Sequence, residues 1–462
     1  MSNKLFFYLI ISLTALKVFS SYFTSLSIYG DEAQYWLWSK SLDLGYFSKP
    51  PLLAWFLSAH TGLFGDSFLS LKLFPIFVYL FISYSVYNLC RKLSLSQKDS
   101  FFCSISFYII PAASLSSFLV STDLLLLLFW SLSMKALLEL TTNNSTKNYF
   151  FLGVFLGLSF LAKYAAVYFF LSLVLLIFAD RKSRKKIFGN FFGLFIFSLS
   201  FVILLLPNII WNFNNSWVTF AHTSSNANLK NINLNVYEPL KFFVSQLLMV
   251  GPVLSLSFVF MIRSFKLTFE NKFLLIFSLP IIFIVLVEGF LVRANANWAA
   301  PALISIFILF FKIVLDANSK LLKINFVFNY FVAVFLFLSI LLSSQNIIFD
   351  RIRGVDNFVY EISSIIGEKD LVVSDRIIFS SASYYLKNKG NKIYMPFRQG
   401  SLISNHFQII SPLKPNREKG FFFIGELEDI AYLDQKKNSK LVKEFFVSFS
   451  KNNLRLYEIN FK

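Results

Sequence analysis

The chain is poor in the residues that build small soluble sites. Its 462 residues include two cysteines, three histidines and 25 acids against 43 lysines and arginines. Cys90 and Cys103 flank the basic stretch Arg91–Lys98, and with no patterned histidine nearby they make neither a disulfide framework nor a zinc site. His60, His222 and His406 have no metal-ligand spacing, and His222 reads as a loop histidine. A GxxxxGK[ST] phosphate loop is missing, so nothing supports ATP-driven transport. Charged residues make up only 15% of the chain, and 56% is hydrophobic, more apolar surface than a soluble domain of this size can hide.

What fills the chain is long apolar runs. We place eleven helices at roughly 5–27, 70–90, 101–119, 124–140, 149–162, 164–180, 187–207, 241–262, 272–292, 300–316 and 325–345. Runs of ~20 apolar residues cross ~30 Å of hydrocarbon. They are continuous, not alternating, which excludes a β-barrel. The expected class is a polytopic α-helical membrane protein with about eleven transmembrane helices. Lys17 interrupts the first run and no small-x-small cleavage site precedes Gly30, so that run is expected to stay as an uncleaved helix.

The formal charge of +18 follows the positive-inside pattern and does not call for nucleic acid. Arg91, Lys92 and Lys98, then Arg181 to Lys186, then Arg263 and Lys266, then Lys320 and Lys323 fall in alternate loops. With the N-terminus cytoplasmic, every basic cluster faces the cytoplasm, where the cysteines stay reduced. The loop 28–69, Asp123, Lys163, the 208–240 loop, Arg293 and the C-terminal tail then face outward. In the outer loop, Glu32–Ser41 and Leu52–Leu63 read as short amphipathic helices, with Trp36, Trp38 and Trp55 at the headgroup level and Pro50-Pro51 between them.

From about Asn346 the runs shorten and charges become common. Strands are expected at 371–373, 392–394 and 421–424, and a helix over 377–388. This predicts two domains: 1–345, the membrane part with outer loop 28–69, and 346–462, a small extracytoplasmic α/β domain of about 115 residues.

The outward polar residues carry the chemistry. Asp31 and Glu32 stand beside a low-dielectric wall, where a carboxylate can hold the pKa of a general base; the plain alternative is a helix-capping acid pair. Asp123 begins a Leu-rich helix, as a cap, as a second acid of the site, or both. Lys49, Lys163 and Arg293 are outer-face cations that run against the positive-inside rule. Lys163 lies between two apolar runs and needs a partner, and a phosphate would serve. For Arg293 the alternative is a snorkelling interfacial residue. Trp211, Asn212, Trp217, Asn297 and Trp298, with Tyr35, suit sugar hydroxyls and sugar faces, though any single Trp also suits a membrane interface.

Taken in order, these segments resemble the GT-C glycosyltransferases, in particular the bacterial family related to protein O-mannosyltransferases and the lipid A aminoarabinose transferase. The matching pieces are Gly30-Asp31-Glu32-Ala33 with Tyr35-Trp36-Leu37-Trp38, Gly45 to Leu52, Thr122-Asp123, Leu161-Ala162-Lys163, Trp211 to Trp217, Arg293 to Pro301, and Val373-Ser374-Asp375 with Ala382 to Leu386. The resemblance implies a multi-pass protein of the bacterial inner membrane. Its donor is a sugar on polyprenyl phosphate and its acceptor a hydroxyl of a lipid, glycan or protein; membrane lipids surround it. The resemblance assigns Asp31 as base, Asp123 as a second acid of the outer site, and Lys49, Lys163 and Arg293 to the donor phosphate. It also implies a possible divalent ion (Mg2+, Mn2+ or Zn2+), which Ser48 puts in doubt, since some relatives carry a carboxylate before the Lys-Pro-Pro. The rival from another class is a transporter or flippase for lipid-linked sugars, which would use the same charges without chemistry. A scaffold whose tail binds partners leaves Asp31, Lys49 and Lys163 unexplained.

Overall fold

Apolar helices account for most of the chain. The structure, a computed structural model, describes residues 3–461 except 228–231, 233, 344–346, 416, 418, 434–436 and 451–452. Its contacts fall into two units. One comprises Met1–Ser21, Lys49–Leu53 and Leu69–Leu338; the other comprises Tyr22–Ser48, Ala54–Phe68 and Ser339–Lys462. The outer loop, apart from Lys49–Leu53, thus groups with the C-terminal segment. The domain boundary read near Asn346 lies outside the described residues.

The first unit is helical. Six helices among the described residues are long and apolar enough to cross a membrane: Lys4–Phe23, Phe68–Lys92, Thr122–Thr142, Phe191–Asn214, Phe269–Leu291 and Ala296–Leu341. Two sharply bent pairs, Tyr164–Ala179 with Arg181–Phe188 and Tyr237–Val250 with Pro252–Ser264, bring the number to eight if each is one span. The sequence expectation of eleven differs for local reasons. The run at 101–119 is divided into Gln97–Tyr108 and Pro111–Ser116, because the residue before a proline is pushed out of the helical region. The run at 241–262 turns by 100° at Gly251-Pro252, where Gly251 takes φ +114°. The runs at 300–316 and 325–345, by contrast, are two helices as expected: they lie within Ala300–Leu341, whose backbone leaves the helical region at Asn318. Thr146–Ala162 is 17 residues long, shorter than a full span.

The interior of this unit is apolar. Leu124 to Leu127, Trp130 and Phe169 are buried, with Trp130 edge-on to Phe169 at 5.2 Å. Lys17, fully buried, donates to Ser117 Oγ at 2.9 Å and lies 3.9 Å from the centre of the Tyr108 ring.

The second unit contains a five-stranded sheet, β1 Leu371–Val373, β2 Ile393–Tyr394, β3 Phe421–Ile424, β4 Lys437–Phe445 and β5 Leu454–Phe461, in the order β2-β1-β3-β5-β4. β2, β1 and β3 run parallel, and β5 pairs antiparallel with β3 and β4. β3 reads Phe-Phe-Phe-Ile and is buried throughout, as expected for a strand covered on both faces. Val372, Phe421, Phe423, Ile430 and Ile459 form the core of one face. The helix Arg376–Tyr385 (the tail helix) crosses from β1 to β2; it starts one residue before the helix expected over 377–388 and ends three residues short of it. The helix Val355–Ile366 and the β4–β5 hairpin were not foreseen.

The outer-loop segments form helices Gly30–Lys40 (the loop helix) and Leu52–Phe64. The loop tryptophans correct an expectation. Trp36 and Trp38 do not face a headgroup layer but are buried in protein, at 4% and 2% exposure, because each ring finds polar or aromatic partners within this unit. Trp36 Nε1 donates to Asp66 Oδ1 at 2.8 Å and Trp38 stacks on Tyr46 at 4.5 Å. Trp55 Nε1 donates to the Asp43 carbonyl at 2.9 Å.

Candidate active site

Asp31 and Glu32 are adjacent in the first turn of the loop helix, where acids are stabilised by the helix dipole, but they meet different surroundings. Glu32 is 1% exposed and accepts from the Tyr29 N–H at 3.1 Å, closing the helix start. Asp31 is about a third exposed, and its Oδ1 accepts from Arg376 Nη1 at 3.0 Å. The same Nη1 donates to Gln34 Oε1 at 2.7 Å. Tyr35 is buried, edge-on to Trp38 at 5.5 Å.

The second unit also holds a cleft of about 540 Å3 lined by Trp36, Lys40, Asp66, Ser67, Lys387 and Asn388. Burial alone would raise the Asp66 pKa, but hydrogen bonds from Lys40 and Trp36 outweigh it and hold the carboxyl below its ordinary value. Lys387 is pushed down by burial; it donates to the Asp66 carbonyl at 2.6 Å and lies 4.0 Å from the Tyr384 ring centre. In the same unit, His406 lies edge-on to both Trp38 and Tyr46, at 5.6 and 5.0 Å, and burial lowers its pKa to about 4.

In the first unit, Asp123 and Lys163 meet. Lys163 caps the helix Thr146–Ala162 in extended conformation and donates to Asp123 Oδ1 at 2.7 Å, with both side chains about 15% exposed. Asn297 Nδ2 donates to Asp123 Oδ2 at 3.2 Å. Three segments far apart in sequence thus converge on one carboxylate, which takes these partners in place of the cap of its own helix. Nearby in sequence, Tyr164 donates to Asn208 at 2.8 Å, accepts from Asn212 at 3.2 Å and stacks on Phe220 at 4.8 Å. Asn212 is fully buried and Trp211 nearly so, while Trp217 is exposed and edge-on to Phe220. Arg293 is exposed, donates to the Asn226 carbonyl at 3.0 Å and lies 5.8 Å from the ring centre of half-buried Trp298. Lys49 and Ser48 are both half-buried, Lys49 in the first unit and Ser48 in the second.

The structure therefore gathers Asp123, Lys163 and Asn297, pairs Arg293 with Trp298, and pairs Asp31 with a residue the sequence reading missed. Arg376 carried one local signal, a cation in the first turn of a helix, where the dipole disfavours it. Gln34, Asp66 and Lys387 carried none. Among the described residues no three His, Cys, Asp or Glu side chains cluster, and Asp31 and Asp123 are each committed to a cation.

Comparison with known proteins gives three likenesses. Residues 48–211, the stretch holding Lys49, Asp123, Lys163 and Trp211, match the family model described as dolichyl-phosphate-mannose-protein mannosyltransferase. A lipid A galacturonosyltransferase, RgtD, from Rhizobium johnstonii is 28% identical over 305 residues, 64% of this chain and 63% of that protein. The match thus spans less than two thirds of that relative. Crystal structures of ArnT from Cupriavidus metallidurans, in the apo state and bound to undecaprenyl phosphate, superpose with TM-scores of 0.69 and 0.70. Both cover 99% of this chain and 98% of the ArnT chain at 12% identity, which establishes a shared fold. Residues 48–211 are thus similar to the mannosyltransferase family model, and the chain as a whole shares the fold of ArnT.

Proposed function

We propose that the chain is a glycosyltransferase of the bacterial inner membrane that moves a hexosyl or pentosyl unit from polyprenyl phosphate to a glycolipid hydroxyl outside the cytoplasm. The observation that carries this reading is the Asp123–Lys163 pair, built inside the segment that matches the mannosyltransferase family model. The ArnT structure with undecaprenyl phosphate supports the carrier, and the likeness to RgtD supports a lipid acceptor over a glycan or protein one. A cytoplasmic N-terminus and an extracytoplasmic domain 346–462 belong to the same proposal.

The chemistry takes the roles of Asp31, Lys49 and Arg293 from the family resemblance and that of Lys163 from its pairing. An ammonium has three N–H donors, and Lys163 spends one on Asp123, leaving two for a phosphate oxygen. Asp123, steadied by Asn297, keeps that ammonium aimed. Lys49 and Arg293 add positive charge for the leaving phosphate. Asp31 takes the proton of the acceptor hydroxyl as its oxygen bonds the anomeric carbon. The carbon–oxygen bond to phosphate breaks with its electron pair leaving on polyprenyl phosphate. Direct displacement inverts the anomeric centre. No step is assigned to a metal ion.

The test is incubation of purified protein with labelled polyprenyl-phosphate sugars and a membrane extract. Transfer of label to a lipid fraction is the expected result. Binding of the donor with neither transfer nor hydrolysis, across several sugars, would replace this reading with the transporter.

A further inference from the structure

We propose that Arg376 is a positioning residue for Asp31, so that the C-terminal segment takes part in orienting the base; this rests on the reading of Asp31 as that base. Arg376 Nη1 bridges Asp31 Oδ1 at 3.0 Å and Gln34 Oε1 at 2.7 Å. Within the second unit, Asp31 Oδ2 has no hydrogen-bond partner among the described residues. One carboxylate oxygen is fixed and the other is left for an acceptor hydroxyl.

The placement of Arg376 argues against a casual surface pair. It is the first residue of the tail helix, where a cation opposes the dipole, and Asp375 already caps that helix by accepting from the N–H groups of Ile377 and Ile378 at 2.8 and 2.9 Å. A cation there needs an anion opposite, and Asp31 supplies it.

The two helices are also held in register. Gly30 leaves no room for a Cβ, which would overlap Ile377. Tyr384 packs edge-on to Trp36 at 5.0 Å, and the Tyr385 hydroxyl accepts from the Ile28 N–H at 2.8 Å.

Topology points to the same place. β1 lies between its parallel neighbours β2 and β3, so chain direction across the sheet switches at β1. In open α/β sheets ligands lie beyond the carboxyl ends of the strands at such a point. Here Ser374-Asp375-Arg376 leaves β1 at that end, and it is the start of the loop helix, with Asp31, that meets it.

During transfer, Asp31 Oδ2 accepts the proton of the acceptor hydroxyl, whose oxygen bonds the anomeric carbon while the bond to phosphate breaks. Asp31 becomes neutral, and Gln34 keeps the guanidinium in place until the proton passes to water.

The test uses the full-length protein in detergent with labelled donor and membrane extract. Arg376→Gln is expected to lower kcat at least tenfold, with the donor KM and the thermal midpoint unchanged. Arg376→Lys is expected to recover part of that loss, and millimolar guanidinium to recover part of the loss in Arg376→Ala. Tyr385→Phe, which loosens the same docking, is expected to lower the midpoint without lowering kcat. If Arg376→Gln keeps its kcat, or loses it only in step with its midpoint, while Asp31→Asn is inactive, Arg376 merely docks the tail and the proposal fails alone. An active Asp31→Asn would remove the base and the proposal with it.

Discussion

Asp123 and Lys163 are forty positions apart, and their pairing sets the free energy of each. Both are about 15% exposed, so removing one partner strands the other in a poorly solvated place. Asp123→Asn or Lys163→Met alone is expected to cost about 3 kcal/mol of stability, and the double variant clearly less than the sum. Unfolding in detergent across this cycle is the measurement; additive costs would show that the pair contributes little. His406 gives a second prediction with a definite sign. Its folded pKa of about 4 lies below the unfolded value of 6.5, so the unfolded state binds its proton first. The His406 contribution is complete above pH 6.5 and is lost as pH falls toward 4. Between pH 7 and pH 5 this group is expected to remove about 2 kcal/mol of stability. In His406→Asn, pH-dependent melts should lose that share of the slope.

At the scale of elements, close approach does most of the positioning. The loop helix and the tail helix meet where Gly30 faces Ile377. Gly30→Ala is expected to destabilise by about 1–3 kcal/mol through overpacking, and Ile377→Ala in the same chain to relieve part of it. Thermal midpoints of the single and double variants read this directly; a neutral Gly30→Ala would show that the interface yields. The spans themselves were legible because long apolar runs have few alternatives, and the short strands Leu371–Val373 and Phe421–Ile424 because β-branched and aromatic residues cluster there. The breaks were less so. Gly251-Pro252 marks a bend on sequence grounds, but its angle depends on neighbouring helices, and Gly251 itself lies close to Asn329 and Asn325 from far along the chain.

At the scale of the whole molecule, the sequence carried the candidate residues but not their pairings. Asp31, Asp123, Lys163 and Arg293 stand out because charge in an apolar chain is costly. That Asp123 holds Lys163 and Asn297, and that Asp31 holds Arg376 from the other end of the chain, depends on tertiary contacts with no local signature. The tryptophans of the outer loop were misplaced for the same reason. An amphipathic ring suits a membrane interface or a protein interior, and the choice rests on partners such as Asp66 and Tyr46. The central claim is that these groups perform sugar transfer with Asp31 as base. It is tested most directly by comparing wild type and Asp31→Asn, matched for thermal midpoint, in transfer from labelled polyprenyl-phosphate sugar. The account predicts transfer by the wild type, at least a hundredfold less by the variant (about 3 kcal/mol of barrier), and donor binding unchanged. Transfer by Asp31→Asn at the wild-type rate would contradict it.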